Sequence, residues 1–327
     1  MKPFKQSFVL ILMLSITLNL VGCTATPSAP NSNPPPSLPT ELEEKDYDIQ
    51  YFTDRIDVLY EYEPETAVAF VVTTEQGTYH FSDNEIPVET VSEYMDAFEE
   101  GIKFANEWFG QSYDALKLYF IQRDFAMLYD NTEMTISGSG VDGVAWIEYD
   151  DSAETPPVFL ASHVLMHETI HALCDVHSET TNFPKRPEPY PFFWSDLFEE
   201  GLSTMIEHLY GYHSGKLHDV YVYHYTSGYD SSELLDEVNS VAEALDHLAL
   251  KSIKVDEFYD ELPYDILQSY YTSASFLYYL YEHDGGGKEN LRRVYADIDL
   301  MEEIYGKDME GMIEEWLKYL EQYEVAK

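Results

Sequence analysis

The stretch Ala161–His177, A-S-H-V-L-M-H-E-T-I-H-A-L-C-D-V-H, decides how the rest of the chain is read. Its apolar residues carry a helix. His167 and His171 are four apart, so their imidazoles project from one face and can share one ion. Glu168 stands beside the first histidine, placed to take a proton from a water at that ion. Imidazole and carboxylate donors around an open position suit zinc, which lowers the pKa of its water toward neutrality. A third protein ligand is required, and the chain offers two. Glu200 lies in W-S-D-L-F-E-E-G-L-S-T-M-I-E-H on the next helical segment, with Glu199 one residue away. His177 lies six residues beyond His171.

Working outward, Val88–Phe109 has helical spacing, with Val91, Met95, Phe98, Ile102, Phe104 and Trp108 near one side. Upstream, Ile56–Tyr62, Thr66–Thr74 and Gly77–Ser82 are rich in β-branched and aromatic residues and predict a small antiparallel sheet. Strand-like runs follow at Leu116–Gln122 and Val144–Tyr149. Beyond Pro157 the pattern is helical, at about 160–177, 194–211, 231–249, 266–283, 287–297 and 308–323. A sheet-and-helix half followed by a helical half predicts an α+β body with a cleft between the two.

Two metallopeptidase families place a third ligand after H-E-x-x-H. The metzincin pattern H-E-x-x-H-x-x-G-x-x-H would use His177, with Met205 in its methionine turn. That pattern stops the helix at a left-handed glycine, where this chain has Cys174, whose Cβ makes the turn costly. Met205 also falls in a helical segment. By contrast, F-E-E-G-L-S-T-M-I-E resembles the E-G run that carries the glutamate ligand of gluzincins, the aminopeptidase and peptidase-MA-like group. Tyr270–Gly285, Y-Y-T-S-A-S-F-L-Y-Y-L-Y-E-H-D-G, resembles a later helix of that family. The resemblance runs from Val88 to Leu320. It implies a thermolysin-like mixed sheet with a zinc helix, and His167, His171 and Glu200 as zinc ligands. It further implies Glu168 as general base and Tyr270 as hydrogen-bond donor to the oxyanion, with Tyr271 one residue away. Glu207 aligns with the second glutamate of the E-G run. Gly140–Tyr149 resembles the strand that borders the cleft and pairs with substrate backbone. His163, one turn before His167, and Asp175, four after His171, are candidates to orient the ligands. The loop Thr180–Phe193, with four prolines, could wall the cleft. The expected substrate is a peptide or protein. The exopeptidase loop of some relatives is not recognisable, which leans toward an endopeptidase or oligopeptidase and leaves an aminopeptidase open.

The N-terminus carries a separate message. Lys2 and Lys5 precede the apolar run Phe8–Leu20, which ends in Leu20-Val21-Gly22-Cys23. This resembles the lipobox of bacterial lipoproteins, whose cysteine is lipidated and becomes the new N-terminus. Thr24–Thr40 has no charge and six prolines. It predicts an extended spacer reaching on the order of 50 Å at ~3.1 Å per residue. The expected layout is a signal at 1–22, lipidated Cys23 and tether over 23–41, a small β region at 42–86, and a metallopeptidase-like domain at 87–327. The expected location is the extracellular face of a bacterial membrane. Cys174 is then the remaining thiol, so no internal disulfide forms.

Composition bounds the partners. Eighteen basic against 61 acidic residues give a formal charge of −43, a surface that repels nucleic acid. Solubility, or attraction of cationic peptides, would use that charge. The 28 tyrosines are scattered and fit core and surface packing. No calcium-loop pattern is present, and a monomer is expected. A lipoprotein that binds or adheres without cleaving is the rival reading. It shares the leader, tether and body, but does not predict ligands, base and glutamate helix in this order.

Overall fold

The computed structural model of the chain describes residues 47–51, 55–56, 66–67, 69–82, 88–110, 113, 116–123, 136–141, 143–150, 157–181, 195–229, 231–255, 267, 269–283 and 286–325. The leader, the tether and residues 182–194 lie outside the described residues.

The described strands are β1 (Ile49–Tyr51), β2 (Arg55–Ile56), β3 (Thr66–Ala67), β4 (Phe70–Thr73), β5 (Gly77–Phe81), β6 (Leu116–Arg123), β7 (Ile136–Val141) and β8 (Val144–Asp150). One sheet takes the order β1-β4-β5-β6-β8-β7, while β2 and β3 pair with each other. The strands β4 and β5 run antiparallel, as their sequence predicts, and β1, which lies upstream of the expected strands, adds antiparallel to β4. β5 then runs parallel to β6, with Gly77 opposite Leu116, so this antiparallel part continues into the main sheet. The cause is α1 (Val88–Phe109), the crossover that parallel neighbours require. Tyr94 and Phe98 of α1 meet Phe120 of β6 at ring separations of 5.0 and 6.0 Å. Alternate residues of β5 and β6 (Tyr79, Phe81, Leu116, Leu118, Phe120) are buried under it.

The helices that follow are α2 (Val158–Thr181), α3 (Gly201–His213), α4 (Leu217–Gly228), α5 (Val241–Val255), α6 (Tyr270–Glu282), α7 (Lys288–Ala296), α8 (Met301–Tyr305) and α9 (Met309–Val325). A π-helical stretch, Ser195–Glu200, leads into α3. The α+β class with a mainly helical C-terminal half therefore holds. α2 packs on α1, β7, β8 and α3, and α3 packs on α4 and α6. α3 is buried from Gly201 to His208, its polar Ser203, Thr204, Glu207 and His208 included. Polar groups at that depth need partners, and α3 supplies much of the site.

Between α3 and α6 two helical stretches differ from expectation. The helix expected at 231–249 starts at Val241, after a 3-10 turn at Ser231–Glu233. α4 is an additional helix, built on L-H-D-V-Y-V-Y-H-Y-T-S-G, where alternating Val and Tyr favour a strand. Burial of Leu217, Val220, Tyr221 and Tyr225 at helical spacing overrides that local preference. Among the described residues no helix is long and apolar enough to cross a membrane.

Candidate metal centre

His167 and His171 lie on α2, whose helix passes through Cys174 and on to Thr181 without a break. Their Nε2 atoms each lie 3.3 Å from Oε2 of Glu200, the last residue of the π-helical stretch. One ligand atom from each of the three falls within 4.8 Å of the others. A donor separation of 3.3 Å is what two ligands ~2.0 Å from one zinc subtend at the tetrahedral angle. His167 engages Glu207 through Nδ1, which leaves Nε2 with the lone pair that faces Glu200. The donor set therefore fits a single borderline divalent ion. Burial raises the Glu200 carboxyl, but His171 and His167 outweigh it and hold it well below the carboxylate range.

Behind the ligands, Glu207 is a hub. Its Oε2 accepts from His167 Nδ1 at 3.2 Å and from His224 Nε2 at 2.9 Å, and its Oε1 lies 3.1 Å from His163 Nδ1. Burial pushes this carboxyl up, yet the imidazoles, His224 foremost, pull it well below its usual range. His224 in turn stacks on His208, ring centroids 5.0 Å apart. Burial and His224 hold His208 down at about 3, so it stays neutral and donates Nδ1–H to the Thr204 carbonyl at 2.8 Å. Three histidines thus brace one carboxylate, and that carboxylate fixes the ring of His167, a member of the group that could hold a metal. If the group holds zinc, Glu207→Gln is expected to weaken its binding about 10- to 100-fold in a competitive chelator titration. Wild-type affinity in that variant would remove Glu207 from the support of the site.

Glu168 is 6% exposed, and burial raises its carboxyl pKa although His167 and His171 pull the other way. It lies directly beneath β7. A Cβ on Gly138 would come within 2.6 Å of Glu168 Cγ, and one on Gly140 within 1.8 Å of the Glu168 carbonyl oxygen. β7 can rest on α2 at this height because both positions are glycine. The Gly143 amide adds a hydrogen bond to the Ala172 carbonyl of α2 at 3.2 Å. The strand bordering the site is therefore β7. The Val144–Tyr149 run forms β8, enclosed between β6 and β7, which corrects the cleft-strand expectation for Gly140–Tyr149. Low β-propensity hides I-S-G-S-G-V in the sequence, and those same glycines make the contact possible.

A cavity of about 350 Å3 opens over this group. Ser137 and Gly138 of β7 line one side, Tyr223 and His224 of α4 another, and Tyr270 and Tyr271 of α6 a third. Tyr271 donates its hydroxyl to the His224 carbonyl at 3.0 Å, which ties it to α4. Tyr270, at the first turn of α6, lines the cavity beside it. Gly201 lets α6 come this close, since a Cβ there would lie 2.4 Å from Ser273 Cβ.

His167, Glu168, His171, Glu200, Glu207 and Tyr270 are thus brought together, with His163 behind them. Glu199 is outside the three-ligand group. The side chains of Asp175 and His177, and residues 182–193 of the proline-rich loop, lie outside the described residues. His224, Tyr223 and Gly138 were not expected. A histidine in a tyrosine-rich run and a glycine in a serine-rich one carry no spacing signal that points to a site.

No protein family matches the chain. No curated protein matches it. Among solved structures it is similar to an aminopeptidase N family protein from Idiomarina loihiensis, at 8% identity and a TM-score of 0.34. The match covers 76% of this chain and 46% of that one, so the chain spans under half the length of that protein. A likeness at this level carries no argument by itself, and the reading of the site rests on its own geometry.

Proposed function

We propose that the chain is a zinc-dependent peptidase. The observation that carries this reading is the convergence of His167 Nε2 and His171 Nε2 on Glu200 Oε2, each at 3.3 Å, with buried Glu168 alongside. Bound by these three residues, zinc would supply a Lewis acid for a peptide carbonyl and lower the pKa of water there. Glu168 takes the proton of the attacking water and returns it to the leaving amine. A buried carboxyl of raised pKa suits both transfers, because its acid and base forms lie closer in energy. Tyr270 donates a hydrogen bond to the oxygen on which negative charge develops. Among the described strands β7 is the last of its sheet, and its outer edge can pair with an extended peptide backbone.

Zinc content tests the reading. One zinc per chain is expected in the wild type, lost in His171→Ala and Glu200→Ala and kept in His177→Ala. Loss in His177→Ala with retention in Glu200→Ala would move the third ligand to His177. A wild type that takes up no zinc on reconstitution would leave a tethered binding protein instead.

The same reading puts the domain outside a bacterial cell, held to the membrane by a lipid on Cys23 and lifted from it by the proline-rich stretch. The support is the basic start, apolar run and Leu20-Val21-Gly22-Cys23 tetrapeptide. Cys23→Ala is expected to move the protein from the membrane fraction to the soluble one. An unchanged distribution would count against the anchor.

A further inference from the structure

A second cavity, of about 360 Å3, lies among α5, α6 and α9. Its volume is at the lower end of the ~300–1,000 Å3 of small-molecule sites. Tyr270, at the start of α6, lines the metal cavity, whereas Tyr278, Tyr279 and Glu282 near its end line this one. From Tyr270 to Tyr278 the helix rises about 12 Å, so the two cavities are separate.

Asp246 of α5 lines this cavity and is 2% exposed. Its Oδ1 accepts from Ser275 Oγ at 2.6 Å and its Oδ2 from Tyr319 at 3.0 Å. Ser275 is held by Trp316 Nε1 at 3.0 Å, and the Tyr319 hydroxyl lies 3.1 Å from that of Tyr323. Every one of these partners is neutral. Among the described residues, lysines and arginines pair with carboxylates such as Asp219, Glu233 and Glu303, and none of these ion pairs is with Asp246. Burial pushes the Asp246 carboxyl up to about 6, against the pull of the hydroxyl donors. A carboxylate held by hydroxyls alone at that depth is in want of a positive charge.

The walls are aromatic. The Tyr279 ring lies between Tyr319, 5.2 Å away, and His283, 5.6 Å away. Tyr278 stacks on Tyr281 at 5.8 Å. Glu282 adds a second negative charge, and among the described residues no lysine or arginine lines the cavity. A metal ion does not match this arrangement. Among the described residues, only the His167–His171–Glu200 group brings three ligand atoms together. Tyrosine rings beside one buried carboxylate instead suit an organic ammonium group.

We propose that this cavity binds an alkylammonium group, presented by a lysine side chain of a peptide or by a free quaternary amine. The site stands independently of the peptidase reading, because it shares no residue with the metal centre.

Calorimetric titration of the full-length protein tests it with three probes: choline, N-acetyl-lysine amide, and 3,3-dimethylbutanol as the neutral counterpart of choline. Saturable one-site binding is expected for at least one amine and none for the alcohol. Tighter binding of choline would assign the site to a free quaternary amine, and tighter binding of the lysine amide to a peptide side chain. Asp246→Asn keeps the shape of the carboxylate and is expected to weaken amine binding at least about tenfold. Tyr279→Leu removes a wall, leaves every hydrogen-bonding group of Asp246 in the chain, and is expected to weaken it similarly. If Asp246→Asn does not fold, the alcohol and Tyr279→Leu still decide the matter. The proposal is overturned if neither amine saturates, if the alcohol binds as tightly as choline, or if binding survives unchanged in the folded variants.

Discussion

Glu168→Gln is expected to lower the rate of peptide hydrolysis by about 10²- to 10⁴-fold while the zinc content stays at that of the wild type. The substitution keeps the size of the side chain and removes its capacity to take a proton. Glu168 is not one of the three converging ligands, so the metal should remain. A neutral amide in a site that is 6% exposed adds no desolvation cost of the kind a carboxylate bears. Stability should therefore hold or rise slightly. Cleavage of a denatured protein such as casein, metal analysis and thermal unfolding together check the result. Cleavage at the wild-type rate would sink the general-base assignment. Zinc lost along with activity would instead move Glu168 into the ligand set.

The second large effect is steric. Gly140→Ala places a Cβ 1.8 Å from the Glu168 carbonyl oxygen and 3.1 Å from the Ala172 amide nitrogen. Both neighbours are helix backbone and cannot swing aside, so β7 must lift from α2. A loss of about 3 kcal/mol is expected in chemical denaturation. The shift also moves the strand from Glu168, so hydrolysis should fall even in the fraction that remains folded. Gly101→Ala in α1 is the control. There the new Cβ meets Met166 side-chain atoms at 3.5 to 3.7 Å, an ordinary contact. Helix propensity then favours alanine by up to about 1 kcal/mol. If Gly140→Ala proved as stable as Gly101→Ala, the seating of β7 on α2 would be wrong.

Local signals were strong wherever a residue and its neighbours in sequence share one helix face. His167 and His171 are placed by the helix period alone, and Glu200 follows from a short run whose glycine has a visible purpose. Gly201 allows α6 within reach of the ligand segment. Signals were weak where a contact spans distant segments. α4 is written in residues that prefer a strand, and only packing makes it a helix. β7 is written in serines and glycines, and its place is set by what it must approach. His224 reaches Glu207 across 17 positions and His163 across 44, distances over which no periodicity operates.

The sequence by itself determined the α+β class, the helix that carries His167, Glu168 and His171, and a short choice of partners for them that included Glu200, because helix periodicity and ligand chemistry are local properties. Only the tertiary structure decided which strand lies against that helix, which of two adjacent tyrosines is tied to α4, and how one buried carboxylate gathers three histidines. The buried Asp246 with its tyrosine walls belongs to the same class, since α5, α6 and α9 each contribute a part. Such features depend on close approach and burial between segments remote in the chain, and those are set by the packing of the whole body.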